Sequence, residues 1–414
     1  MLLNGSQTYH KRLRIKFIRF FSGSATPNSS LYARQVMFMI SIHEILKIAI
    51  QSKASDVAIK AGCAPMLRVD GKMQTTELAA MTPGQMRELG YEIMCSASRD
   101  SLLQFPDSCN DDSETQKTET WVKTLDEMSE LDMVFTVPNV ARIRANLFLQ
   151  RGTVGAALRI IPLHPYSIDE LALPPVLKRF AMEPQGLIIL TGPTGSGKTT
   201  TLAALIEEIN RNKRSNIFTV EDPIEYIFKD AKSVIHQREV GQDTRTFESA
   251  LRSITRQSPD VIAIGELRDW ESMEVAMMAS EIGHLVITTL HTTSAATTID
   301  RIVNSFPQRL REQVCRQLSA SLLCITSQRL IKRANGPGRI PAVEVMTASP
   351  TVKKQLEDGD MSDLHACIRD GAHFGMNSMN QALEKLYNSH DISYEDAIQF
   401  AGNAAELKQM LRKK

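Results

Sequence analysis

The chain has 414 residues, 43% of them apolar and 23% charged, with a net charge of +1. That length exceeds one ordinary core and asks for two or three domains in a soluble globular protein. The near-zero charge argues against a dedicated nucleic-acid binder, and no apolar run approaches the ~18 residues that a membrane-spanning helix needs. The six cysteines (63, 95, 109, 315, 324 and 367) include no C-x-x-C pair, so neither a zinc ribbon nor a thioredoxin-type site is suggested.

Residues 1–40 carry no Asp or Glu. Lys11, Arg12, Arg14, Lys16 and Arg19 alternate there with Leu13, Ile15, Phe17, Ile18 and Phe20. This reads as a basic disordered extension, or as translation from an upstream start with Met37 or Met39 as the initiator. A membrane-surface segment is the other reading. Regular structure begins near Ile42, with an amphipathic helix at 43–49. Strands follow at 56–59 and 66–69, then a tight turn at Asp70-Gly71, and a helix opens at Thr82-Pro83. Residues 107–130 are acid-rich and read as an exposed insertion, with a helix around Trp121 to Met128. Strands resume at 133–137, 141–148 and 154–161, which makes residues 41–161 a mixed α+β domain. Five prolines between 162 and 184 mark a linker. From 185 to 342 strands (187–190, 216–220, 261–265, 284–290) alternate with helices (199–210, 246–257, 270–282). That alternation predicts an α/β domain with a parallel sheet covered on both faces. Residues 343–414 read as helical, near 350–357, 361–369, 376–389 and 393–412.

Gly192-Pro193-Thr194-Gly195-Ser196-Gly197-Lys198-Thr199 is a full G-x-x-x-x-G-K-[ST] phosphate-binding loop. A buried strand precedes it, and a helix with Leu202, Leu205, Ile206 and Ile209 at helical spacing follows it through Thr200. Such a loop turns backbone N–H groups onto a polyphosphate at a helix N-terminus, and its glycines let the backbone approach the phosphates. Lys198 would neutralise the β/γ-phosphates of ATP, and the Thr199 hydroxyl would hold Mg²⁺.

Three further constellations follow in the chain. Glu266 ends an apolar strand where the ligand crevice of a doubly wound sheet lies, so it is a candidate to organise Mg²⁺. Asp260, at the strand's other end, is not. Glu221, Asp222 and Glu225 cluster at the end of another strand, and Glu221, first off it, is the candidate to polarise the attacking water. Glu225 meets either the metal shell or solvent. His291 ends a third strand, beside a Thr/Ser run suited to cap the next helix. It reads equally as a core histidine or as a γ-phosphate sensor. Arg142, Arg144, Arg151 and Arg159 lie on consecutive strands of the first domain and are candidate arginine fingers. Residue pattern alone does not choose among them.

The order of these pieces resembles the secretion ATPase superfamily of type II secretion and type IV pili. The loop comes first, then Thr219-Val220-Glu221-Asp222-Pro223-Ile224-Glu225, then Gly265-Glu266-Leu267-Arg268-Asp269, then Gly283-His284 through His291-Thr292-Thr293-Ser294. Gln237-Arg238-Glu239-Val240, Thr298-Ile299-Asp300-Arg301 and Arg68-Val69-Asp70-Gly71 resemble the pilus retraction (twitching-motility) branch. The resemblance implies a cytoplasmic homo-hexameric ATPase at an inner-membrane platform protein, alongside a paralogous motor and without direct nucleic-acid binding. Its fold would be a RecA-like domain preceded by a PAS-like domain, with ATP between them. It further implies Glu221 as general base, Glu266 as the Mg²⁺-organising acid, Arg144 and Arg159 as the arginines reaching the γ-phosphate, and His284 and His291 as the histidine box. Arg268 and Asp269 belong to the same motif as Glu266. The absence of a tetracysteine zinc site favours the retraction branch over assembly and secretion members. Residues 394–410 look more like the accessory PilU-type paralogue, and a conjugation or secretion ATPase or a non-catalytic ATP-binding ring component are the other readings.

Overall fold

A computed structural model describes residues 40–100, 129–137 and 140–412. The basic extension, the expected helix at Trp121 to Met128 and nearly all of the acidic insertion lie outside the described residues.

The first domain is a six-stranded antiparallel sheet carrying two helices on one face. Helix α1 (Ile42–Gln51) is capped by the Ser41 hydroxyl. Strands β1 (Asp56–Lys60), β2 (Met66–Val69) and β3 (Lys72–Thr75) follow, the last not expected from its sequence because all four of its residues are exposed. Helix α2 (Pro83–Asp100) starts as expected at Thr82, whose hydroxyl accepts from the Gln85 amide while Gln85 reaches back to the Thr82 amide. Strands β4 (Glu130–Val137), β5 (Ala141–Gln150) and β6 (Thr153–Ile161) complete the sheet in the order β3-β2-β1-β6-β5-β4. Strict alternation along β5 decides what faces where. Ala141, Ile143, Ala145 and Leu147 are buried with Ile45, Leu46, Met86, Leu89 and Ile93 of the helices. Arg142 and Arg144 therefore stand on the sheet face away from the helices.

Helix α3 (Val176–Ala181) sits in the Pro-rich connection. The second domain then alternates: β7 (Gly186–Thr191), α4 (Lys198–Asn212), β8 (Asn216–Glu221), β9 (Val234–Glu239), α5 (Phe247–Ile254), β10 (Val261–Ile264), α6 (Trp270–Glu281), β11 (Leu285–Leu290), α7 (Ala295–Ser305) and α8 (Arg311–Ser321). Two long strands end it, β12 (Leu322–Lys332) and β13 (Arg339–Thr347). The sheet order is β13-β12-β7-β11-β10-β8-β9. Every pairing is parallel except β12 with β13, which corrects the all-parallel expectation by one antiparallel edge strand. Because β13 runs to Thr347, the sheet continues past residue 342. Central β7, β10 and β11 are buried on both faces, as covered parallel strands must be.

The C-terminal region holds α9 (Pro350–Asp358), α10 (Leu364–Asp370), α11 (Met379–Asn388), α12 (Tyr394–Gln399) and α13 (Ala404–Arg412). The single helix expected at 393–412 is two, parted at residues 400–403, where the Asn380 side chain accepts from the Gly402 amide. Among the described residues, hydrogen bonds cross between the domains. Arg142 Nε donates to the Ile224 carbonyl at 3.3 Å, and the Gly338 amide donates to Asp70 at 3.1 Å.

Candidate functional site

The C-terminal ends of β7, β8, β10 and β11 lie side by side in the sheet, so Gly192, Glu221, Gly265-Glu266 and His291 emerge along one edge. This is the crevice edge of an open parallel sheet. The loop residues connect β7 to α4, with Pro193, Thr194 and Gly195 exposed and Ser196 buried. Lys198 opens α4 as a buried residue, and its Nζ folds back over the loop. It donates to the carbonyls of Gly192 (2.8 Å) and Pro193 (3.1 Å) and lies 3.3 Å from Nδ1 of His291. Burial pulls the lysine's pKa down, and the nearby Glu266 carboxylate opposes that. Thr199 and Thr200 follow in the first turn, and the Thr200 hydroxyl lies 3.3 Å from that of Tyr226. Burial drives the Tyr226 phenol up to about 12.

Glu266 Oε2 lies 3.2 Å from Nε2 of His291, and Oε1 accepts from Arg268. Burial alone would raise the acid's pKa, but the hydrogen bond and charge of Arg268, with His291, outweigh it and hold the group low. The His291 side chain is 47% exposed, which removes the core-histidine reading. His291 instead joins Lys198 to Glu266 through its two ring nitrogens. His284 is not part of this group. It precedes β11 at the opposite edge of the sheet, one strand length away, where its backbone pairs with Gly186 and Ala279. Asp269 is likewise turned away, its carboxylate accepting from the Ser272 amide as the N-cap of α6.

Glu221 is 7% exposed at the end of β8. Its Oε1 accepts from Thr219 Oγ1 (2.7 Å) and Gln237 Nε2 (3.2 Å). Burial dominates and raises its pKa, and these hydrogen bonds pull the other way. Gln237 also donates to the Tyr226 carbonyl and accepts from the Phe228 amide, so one amide side chain orders the acidic loop around Glu221. Thr219 and Gln237 stand in the sequence within motif stretches but without a role of their own. The available signal was a polar residue on each of two paired strands. Asp222 faces Arg268 at 3.9 Å. Glu225 is raised by burial, while Arg159 and Arg144 lower it electrostatically. Those two arginines stand directly opposite each other on β5 and β6, on the helix-free face of the first domain. Arg159 also pairs with Asp56 at 3.1 Å.

With this geometry in hand, the chain can be set beside known proteins. The model of the type II/IV secretion system protein family matches residues 158–399, more than half of the chain. The chain belongs to that family. It is 39% identical to the type IV pilus retraction ATPase PilT of Pseudomonas aeruginosa, across 86% of this chain and 97% of that one. It is 38% identical to a twitching motility protein of Neisseria gonorrhoeae (89% and 92% covered) and 34% identical to the type IV pilus ATPase PilU of Pseudomonas aeruginosa (90% and 92% covered). The crystal structure of the pilus retraction motor PilT with bound ADP superimposes with a TM-score of 0.73 at 38% identity, across 90% of this chain and 100% of that one. The Legionella pneumophila ATPase DotB, 22% identical, shares the fold with a TM-score of 0.72, over 95% of this chain and 98% of that one. The architecture is thus that of a secretion-family ATPase: a RecA-like domain preceded by a PAS-like α+β domain, with helices at the C-terminus.

In this secretion-family site, the residues whose chemistry would suit a divalent cation are Glu266, with its carboxylate, and Thr199, with its hydroxyl. Both are hard oxygen ligands, and the lowered pKa keeps Glu266 ionised at neutral pH, so the pair fits Mg²⁺. Among the described residues no cluster of three or more His, Cys, Asp or Glu could hold a metal by itself. No helix among the described residues is long and apolar enough to cross a membrane.

Proposed function

We propose that this chain is the ATP-hydrolysing motor of a type IV pilus retraction machine, working as a homo-hexameric ring on the cytoplasmic face of an inner-membrane platform protein. Two observations carry the reading. The match to a pilus retraction ATPase runs over 97% of that protein, and the loop lysine, Glu266 and His291 form one bonded group in the crevice. In this reading the loop residues Gly192 to Thr200 hold the ATP phosphates, and Lys198 leaves its carbonyl partners to meet the β/γ-phosphates. Mg²⁺, held by Thr199 and Glu266, would neutralise charge on the phosphates. Glu221, buried and oriented by Thr219 and Gln237, takes a proton from the attacking water. Arg144 and Arg159 supply guanidinium charge toward the γ-phosphate, and His291 reports the loss of that phosphate to the strand and helix it joins.

Deletion of the gene, with surface pili counted and twitching motility scored, tests the role. Abundant pili without motility support retraction. Loss of pili makes the chain an assembly motor, and normal pili with normal motility make it an accessory. Purified protein that binds ATP without releasing phosphate would make it a non-catalytic ring component.

A further inference from the structure

The phosphate-binding loop is gripped from below by a residue that no motif contains. Strand β12 pairs in parallel with β7 on the side away from the catalytic acids, in a register that sets Ser327 against Thr191, the last residue before the loop. The next residue, Gln328, is therefore level with Gly192. Its side chain is 4% exposed and uses both ends: Nε2 donates to the Ser196 carbonyl at 2.8 Å, and Oε1 accepts from Thr201 Oγ1 at 2.9 Å. One bond falls on the loop and the other on the first turn of the helix that the loop feeds. The backbone closes in as well. A Cβ on Gly192 would lie 2.4 Å from the Gln328 carbonyl oxygen, and one on Gly197 would lie 2.9 Å from Gln328 Nε2. Nothing comes within 4 Å of a Cβ built on Gly195. Two of the three loop glycines thus make room for Gln328 as well as for phosphate.

We propose that Gln328 is a positioning residue for the phosphate-binding loop, holding its backbone in the shape that receives the nucleotide phosphates. A loop whose N–H groups already point inward binds a polyphosphate without first being ordered, and that ordering cost otherwise comes out of the affinity. Replacing the amide leaves a buried carbonyl and a buried hydroxyl without partners, so the loop shifts to find others. The adjoining residues extend the same strand's reach. Ser327 donates to the Thr293 carbonyl beside His291, and Arg329 donates to the Phe400 carbonyl in the C-terminal region.

The inference rests on the loop being the nucleotide site, so Lys198→Ala is measured alongside. Full-length Gln328→Leu, Thr201→Val and Lys198→Ala proteins are titrated with a fluorescent ADP analogue, and the two loop-support variants are assayed for ATP turnover. Gln328→Leu is expected to weaken binding by about tenfold and to raise KM by more than it lowers kcat. Thr201→Val, which removes one of the two bonds, is expected to weaken binding by about threefold. Unchanged affinity in a folded Gln328→Leu protein whose nucleotide-free melting temperature has dropped overturns the proposal, because the residue would then be structural only. If Gln328→Leu does not fold, Thr201→Val decides, and unchanged affinity there overturns it equally. Lys198→Ala binding as wild type removes the loop reading and this inference with it. Loss of binding in Lys198→Ala with none in Gln328→Leu overturns the inference alone.

Discussion

The ammonium of Lys198 lies 3.3 Å from Nδ1 of His291, although 93 residues separate them in sequence. The loop lysine and the histidine meet because β7 and β11 are neighbours in the sheet and end at the same edge, Thr191 paired with Leu290. The other ring nitrogen reaches Glu266, so one imidazole links residues that follow three different strands, β7, β10 and β11.

Lys198→Ala removes the cation from that group. Turnover is expected to fall by ~10²–10³ or more, the usual loss when one preorganised charge-stabilising donor is taken from a transition state. Phosphate release at saturating ATP measures it, and wild-type turnover in a folded variant would exclude the lysine from the chemistry.

Glu221→Gln is expected to keep nucleotide affinity while kcat falls by ~10²–10⁴, the range for loss of a general base. The pH profile carries a second reading. Glu221 must be ionised to accept a proton, and burial raises its pKa. Activity is therefore lost on acidification at a higher pH than an exposed carboxylate would give. Thr219→Val deletes a hydrogen bond that favours the ionised form, so its acid limb should move to higher pH still. An unmoved limb in Thr219→Val would separate the two residues.

Arg144 and Arg159 face Glu225 of their own chain from the first domain. If they act on the nucleotide of a neighbouring protomer, mixing Arg144→Ala or Arg159→Ala protein with Lys198→Ala protein should hydrolyse ATP faster than either alone. Equal rates in the mixture and its components would leave the arginines without that role.

Asp269 belongs to the same motif as Glu266, yet its carboxylate caps α6. Asp269→Ala is expected to cost about 1 kcal/mol of stability, as loss of an N-cap does, with nucleotide affinity retained. Denaturant unfolding and nucleotide titration check the two halves. A large loss of affinity at unchanged stability would return Asp269 to the site.

How much was legible in the sequence varies from element to element. The Gly192 loop, the acids ending β8 and β10 and the cap at Thr82 were readable because each is a local pattern whose meaning depends on backbone a few residues away. Strand β3 was not, because four exposed residues carry no alternation of burial. The splitting of the last helix was not, because it depends on Asn380 reaching the Gly402 amide from another helix. His284 was grouped with His291 by motif, and the strand between them sends them to opposite edges of the sheet.

The sequence by itself determined that the chain carries a nucleotide-phosphate loop, which acids end its strands, and that a mixed α+β domain precedes an α/β one. Tertiary structure decided which of those residues meet. Gln237 reaches Glu221 across the β8-β9 pairing, and Gln328 reaches Ser196 from 132 residues away across the β12-β7 pairing. The arginines of β5 turn toward the acidic loop because apolar residues alternating with them are buried under α1 and α2. Strand order and sheet register set these contacts, and both arise from packing between distant segments, which a local pattern does not record.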